Sequence, residues 1–139
     1  MSTVYNDIVD YFAGLTATSA ICTAAGDTFT AGTNLFQYIE PPDISATCLT
    51  IIPYGAGSPT PEGDRQEAGV QIRMKAKSLQ GSFETQQATI NRLHDNTAVC
   101  SNTNSRLKAV QSVPLHIGFL EGGEYKLTVS NFIIKYIKL

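Results

Sequence analysis

Chemistry-bearing side chains are scarce in this chain of 139 residues. It has two histidines, His94 and His116, and neither has a His, Cys or carboxylate at ligand spacing, which argues against a metal site. Asp95 beside His94 does not change this, because neighbours on a helix point in different directions. Three cysteines, Cys22, Cys48 and Cys100, are odd in number and far apart. That excludes a disulfide framework and a zinc cluster and fits synthesis in a reducing cytoplasm. Each reads as a small, buried apolar residue. Charged residues make up 16% of the chain, against ~25% in a typical domain. The net charge is −2 with no basic tail, so the chain has no phosphate grip on nucleic acid. No apolar run approaches the ~20 residues that span a bilayer, so no membrane partner is expected. The opening MSTVYNDIVDYF has no basic, cleavable apolar leader.

Catalytic signatures are missing too. There is no P-loop and no nucleophile elbow, and no serine has a His–acid partnership in view. Gly55-Ala56-Gly57 resembles the start of a dinucleotide loop, but Pro59 and Pro61 deny the helix that must follow. Glu62, Asp64, Glu67, Glu121 and Glu124 cluster in expected loops and read as solvated turn residues. No cofactor and no enzymatic activity are expected.

What is present is a core. At 42% hydrophobic residues the chain suits one domain over residues 1–139, which buries roughly two-thirds of its unfolded surface. With few charges, the surface is rich in Ser, Thr, Asn, Gln and Gly, a composition compatible with neutral contacts to other subunits. Val4, Ile8, Tyr11, Phe12 and Leu15 recur at helical spacing, predicting a helix over residues 3–15 with Thr3 as cap, Asp7 near its positive end and Gly14 helping to end it. Residues 16–33, small and polar, read as a loose connection with at most one short turn. Residues 34–40 and 48–54 read as strands, the first stopped by Pro41-Pro42. Residues 55–64, with three glycines and two prolines, read as a long flexible loop.

The clearest pattern is AGVQIRMKAKS, residues 68–78. Val70, Ile72, Met74 and Ala76 alternate with Gln71, Arg73, Lys75 and Lys77, the mark of a strand with one buried face. The basic side has two readings. It contacts an acidic partner or passing nucleic acid, or it is a solvated strand face whose charges discourage stray pairing. Ser82 is expected to cap a second helix to about Asn96, with Phe83, Ile90 and Leu93 on its apolar stripe and Gln86 or Gln87 filling the gap. Ala109, Val113, Leu115, Ile117 and Phe119 form the apolar phase of a further strand that Pro114 interrupts or bends. EGGE at 121–124 signals a hairpin into a last strand over residues 124–139. The apolar phase of that strand shifts near Ser130-Asn131, which predicts a β-bulge. The fold class is therefore α+β: a mainly antiparallel sheet with two helices packed on one face, plus a long Pro/Gly-rich loop.

CLTIIPYGAG, the Pro-rich loop, AGVQIRMKAKS with a helix ending INRLH, and VPLHIGFLEGGEYKLTVSNFIIKYI together resemble the minor capsid or tail-terminator proteins of long-tailed bacteriophages. The matching residues are Ile52, Tyr54, Gly55, Val70 to Arg73, Leu93, His94 and Asn131 to Ile134. The likeness follows the element order of the whole chain, its strings lie between 48 and 138, and residues 16–33 depart from it.

The resemblance implies a virion protein of the tail or neck, made in the host cytoplasm. It would form a ring, usually of six copies, that caps the completed tail tube and offers the head-joining surface. Implied partners are copies of itself, the tail tube protein and a head-side connector or stopper protein, with possible non-specific contact to DNA in transit. A stopper-type neck role and, further off, a small ligand-binding α/β domain are the alternatives. Candidate contact residues are Tyr54, Gly55, Gly57, Pro59, Pro61, Glu62, Asp64 and Arg65 around the long loop, and Arg73, Lys75 and Lys77 on the basic strand face. Extended at ~3.3 Å per residue, the loop reaches about 30 Å, enough to touch a neighbour. Its amides are expected to exchange rapidly in free protein and slowly in assembled tails; equal hydrogen-exchange protection in both would refute a contact role.

Overall fold

A computed structural model describes residues 4–38, 47–54, 65–97, 105–119 and 125–137. The described elements are α1 (Val4–Ala13), α2 (Ala20–Ala25), β1 (Leu35–Gln37), β2 (Cys48–Tyr54), β3 (Arg65–Ala76), α3 (Leu79–Leu93), β4 (Ser105–Ala109), β5 (Leu115–Phe119) and β6 (Lys126–Ile137). The strands form one sheet in the order β1-β2-β3-β6-β4, and β5 also pairs with β6. All described pairings are antiparallel except β1 with β2. This is the expected α+β class, with one helix more than expected.

In α1, Ile8 and Phe12 stand one turn apart and are fully buried. The helix packs over β1 and β2. Thr3, its expected cap, lies outside the described residues. Residues 16–33 are not a loose connection. The Ser19 hydroxyl accepts the Cys22 amide (3.2 Å) at the start of α2, and Gly26, at φ 77°, closes it by donating to the Cys22 carbonyl (2.8 Å). Ile21 and Cys22 enter the core, and Phe29 meets Phe12 edge-on at 6.0 Å. Asn34 then ties the following loop, accepting from the Thr30 amide (2.7 Å) and donating to the Thr28 carbonyl (2.8 Å). A six-residue helix with two core side chains is too short for its period to stand out in the sequence.

β1 is shorter than expected because Tyr38 takes a left-handed backbone, φ 73°, that cannot continue a ladder. Pro41-Pro42 lie outside the described residues, as do residues 55–64 and 120–124. β3 and β6, 12 residues each, pair without a break from Arg65 opposite Ile137 to Ala76 opposite Lys126. The bulge expected at Ser130-Asn131 is therefore absent. The apolar phase shifts there for another reason. Thr128 and Ser130 share the helix-covered face with Phe132 and Ile134, while Leu127 and Val129 are buried on the opposite face. The register shift sits instead in β5, between His116 and Gly118.

Val70, Ile72, Met74 and Ala76 are buried beneath the helices, as the alternation predicts. α3 starts one turn earlier than expected, since Ser78, not Ser82, accepts the Gly81 amide (3.0 Å), and it ends at Leu93, where His94 turns extended. Phe83 points outward, 37% exposed. The buried stripe of α3 is instead polar at its first half: Ser82, Thr85, Gln86 and Thr89, then Ile90 and Leu93. Gln86, fully buried, donates through Nε2 to the carbonyls of Ile72 (2.9 Å) and Thr128 (3.1 Å) and accepts from the Ser130 hydroxyl (2.6 Å). The Ser82 and Thr128 hydroxyls meet at 2.6 Å. These bonds explain why polar residues occupy core positions on both α3 and β6.

β4 and β5 both pair with β6 and are set apart by a bend with Pro114 buried in it. The outer edge of β4 is sealed by the segment after α3: Asp95 donates to the Leu107 carbonyl (2.7 Å), Leu107 donates to Asn96 (3.1 Å), and the Ala109 amide donates to His94 Nδ1 (3.0 Å). Replacing Gln86 by Ala removes three buried hydrogen bonds and leaves a void. Q86A is expected to lower unfolding stability by about 3 kcal/mol, seen as a fall in the denaturant midpoint at constant m-value.

Candidate assembly surfaces

The basic residues of β3 lie on the sheet face away from the helices, in three different settings. Lys75 stands between Cys48 on β2 and Leu127 on β6, both buried, and is itself only 6% exposed. Its ammonium lies 5.1 Å from the centre of the Tyr125 ring, a cation–π distance. Lys77, at the same end, reaches that ring at 5.7 Å but is exposed. Arg73 lies between Thr50 and Val129, half-buried, and its Nε is buried with no hydrogen-bond partner. The expectation of a uniformly free basic face is thus corrected. The apolar stem of Lys75 is packed among apolar neighbours, as long cationic side chains often are. Lys77 is exposed and Arg73 half-buried.

Tyr54 and Arg65 border residues 55–64 and sit at the opposite end of the sheet, Tyr54 opposite Gly69 and Arg65 opposite Ile137. Gly55, Gly57, Pro59, Pro61, Glu62 and Asp64 lie outside the described residues. Along β3, Arg65 and Lys77 are separated by about 40 Å at ~3.3 Å per residue. The residues singled out from the sequence therefore form two groups, not one site. Near Arg65, Glu67 and Lys135 approach to 3.8 Å, an exposed pair of small energetic weight.

A third surface was not foreseen. Val110, Val113, Leu115 and Ile117 are 58, 51, 46 and 56% exposed. Val113, Leu115 and Ile117 belong to the apolar phase read from the sequence; Val110 does not. Alternation defines two sides of a strand but does not say that anything covers one of them, and β5 is an edge strand. The stretch is firmly held. Val110 donates to the Asn131 carbonyl (2.8 Å), the Asn131 amide donates to Gln111 Oε1 (3.2 Å), and Gln87 on α3 donates to the Ser112 carbonyl (3.1 Å). That last bond sets the outer stripe of α3 beside the β4–β5 bend; one and two turns back on the stripe stand the exposed Phe83 and Leu79. One signal was legible: residues 109–119, AVQSVPLHIGF, hold no Asp, Glu, Lys or Arg.

Two depressions of about 380 and 410 Å³ flank α3. The first is lined by Lys77, Ser78 and Tyr125, the second by His94, Val110 and Ser112, and neither brings an acid and a base together. No group of three metal-ligating side chains converges among the described residues. His94 already accepts a backbone amide, and Arg92 donates from Nε to the Tyr11 hydroxyl (3.1 Å), a bond that raises its pKa further above the ordinary arginine value. Both are structural ties.

Fold and surface together define a two-layer α+β arrangement: helices on one face of a mainly antiparallel sheet, with exposed apolar side chains along β5. No known protein family and no curated protein matches the sequence. Among solved structures, the chain is similar to one from the "Virion of native gene transfer agent (GTA) particle". The TM-score is 0.66 at 13% identity, covering 97% of this chain and 92% of that one. The two share a fold from end to end.

The different settings of the two lysines are separable by substitution. Lys77→Ala should leave stability within about 0.5 kcal/mol, whereas Lys75→Ala should reduce it by about 1–2 kcal/mol through lost packing on Tyr125. Thermal or denaturant melts of the two variants provide the check.

Proposed function

We propose that this chain is a structural protein of a phage-like virion, and specifically a tail terminator. Copies of it form a ring on the finished tail tube, end tube growth and present the surface to which the head joins. The observation that carries the first part is the end-to-end fold likeness to a chain of a virion particle, 97% of one against 92% of the other. The terminator role rests on the resemblance of the strings around Ile52 to Gly55, Val70 to Arg73 and Asn131 to Ile134.

The physical features fit this reading. A helix-backed sheet with a rigid apolar edge can present different surfaces to two neighbours, as a closed ring requires. The partners are other copies of the chain, the tube protein on one side and a head-side connector or stopper on the other. Lys77, exposed, and Arg73, half-buried, carry the positive charge that would meet carboxylates of such a partner or phosphates of DNA crossing the lumen. No catalytic step belongs to this role.

Particles assembled without the protein test it by electron microscopy. Overlong tails are expected. Tails of normal length beside leaking heads would overturn the terminator role in favour of a stopper.

A further inference from the structure

We infer that the depression between α3 and the β4–β5 bend binds a carboxylate carried on a short apolar body. This goes beyond the virion role above and does not depend on it.

The direction of each hydrogen bond around the depression carries the inference. The Ala109 amide donates to His94 Nδ1 (3.0 Å), so the neutral imidazole keeps its proton on Nε2. The Asn131 amide donates to Gln111 Oε1 (3.2 Å), which leaves the NH2 group of that carboxamide over. Gln87 Nε2 donates to the Ser112 carbonyl (3.1 Å), a group that can only accept. The atom that Asn91 turns to the same nitrogen, at 3.1 Å, is therefore its Oδ1, and again the NH2 group is left over. Backbone groups of definite sense thus set all three orientations, and neither an amide flip nor the other tautomer would satisfy them. His94, Asn91 and Gln111 line one depression of about 410 Å³ with Ser112, whose hydroxyl is a fourth donor. Among the described residues these four donors have no partner.

A rim with its acceptors engaged and its donors unengaged suits a ligand that only accepts. The rest of the lining narrows the choice. Ile90 is buried, Ala109 half-buried, and Val110 presents an exposed apolar side chain beside them. No Asp, Glu, Lys or Arg lines the depression. Without lysine or arginine, a doubly charged phosphate would lose hydration and gain no counter-charge. A singly charged carboxylate suits neutral donors, because its two oxygens accept about four hydrogen bonds. The nearest carboxylate along the chain, Asp95, lies outside the lining and is paired with Arg106 at 3.4 Å. The volume is that of a small-ligand pocket, and the apolar floor gives the carbons beside the carboxylate a place. Those carbons belong either to a free small acid or to the last residue of a peptide, which present the same group.

Amide-resolved NMR of the full chain, titrated with hexanoate and with N-acetyl-leucine, tests this, with hexanamide as the uncharged control. Expected are shifts confined to residues 90–94 and 109–112, and a dissociation constant of about 1 mM or tighter for at least one acid. Hexanamide should bind at least about tenfold more weakly. Tighter binding of hexanoate identifies a free acid as the ligand; tighter binding of N-acetyl-leucine identifies a peptide terminus. Gln111→Glu and Asn91→Asp each keep the oxygen that Asn131 or Gln87 needs and replace the free donor by an anionic oxygen. Each variant should keep the amide spectrum of the rest of the chain and weaken acid binding about tenfold or more. No saturable shift with either acid, an equal response to hexanamide, or unchanged acid binding in both variants would overturn the inference.

Discussion

The carboxamide of Gln86 is the point on which the architecture turns. It is fully buried, and it bonds at once to the two longest strands, through the carbonyls of Ile72 and Thr128, and to the hydroxyl of Ser130. Apolar packing would hold α3 against the sheet at any of several angles and registers, because hydrophobic burial has no direction. A fully satisfied polar group among apolar neighbours does have direction. Shifting the helix by one residue would strand a buried amide, a hydroxyl pair and two extra carbonyl contacts. Ser82 against Thr128 adds a second pin one turn away.

With α3 fixed in this way, the rest of the molecule follows in order. β3 and β6 run side by side for 12 residues without a register shift. That rigid pair carries β2 and then β1 on one flank and both β4 and β5 on the other. Gln87, the neighbour of Gln86, reaches outward to the Ser112 carbonyl and sets the bend that leads into β5. The helix thus determines both the inside of the domain and the posture of its apolar edge.

The sequence was most informative where period and burial coincide. Val70 to Ala76 alternated as a half-buried strand should, Ile8 and Phe12 kept helical spacing, and Pro114 marked a bend. It was misleading where burial ran against polarity. Thr128 and Ser130 look like outer residues, so the even phase of β6 was read as broken when it is continuous. Ser78 and Ser82 are both suitable caps one turn apart, and only the second has a buried partner waiting on β6. Lys75 looked exposed because charge stands for solvent in any pattern argument, yet its stem packs beside Leu127 and Cys48 and its head over Tyr125. For the candidate surfaces, Tyr54 and Arg65 lie at the far end of β3 from Lys75 and Lys77. The edge at Leu115 and Ile117 was hidden because its apolar residues resemble a core strand; the lack of charge over 109–119 was the available clue.

The closure of β4 by residues 94–96 has a bearing on the life of the free polypeptide. Sheet edges invite runaway stacking into fibres, and a free polypeptide has to avoid it. Here one half of that flank is already occupied by the chain's own backbone. Among the described residues the other half offers five, entered through a buried proline and irregular in register between His116 and Gly118. An invading strand finds a foothold too short and too irregular to propagate from along this flank, even though its side chains are apolar.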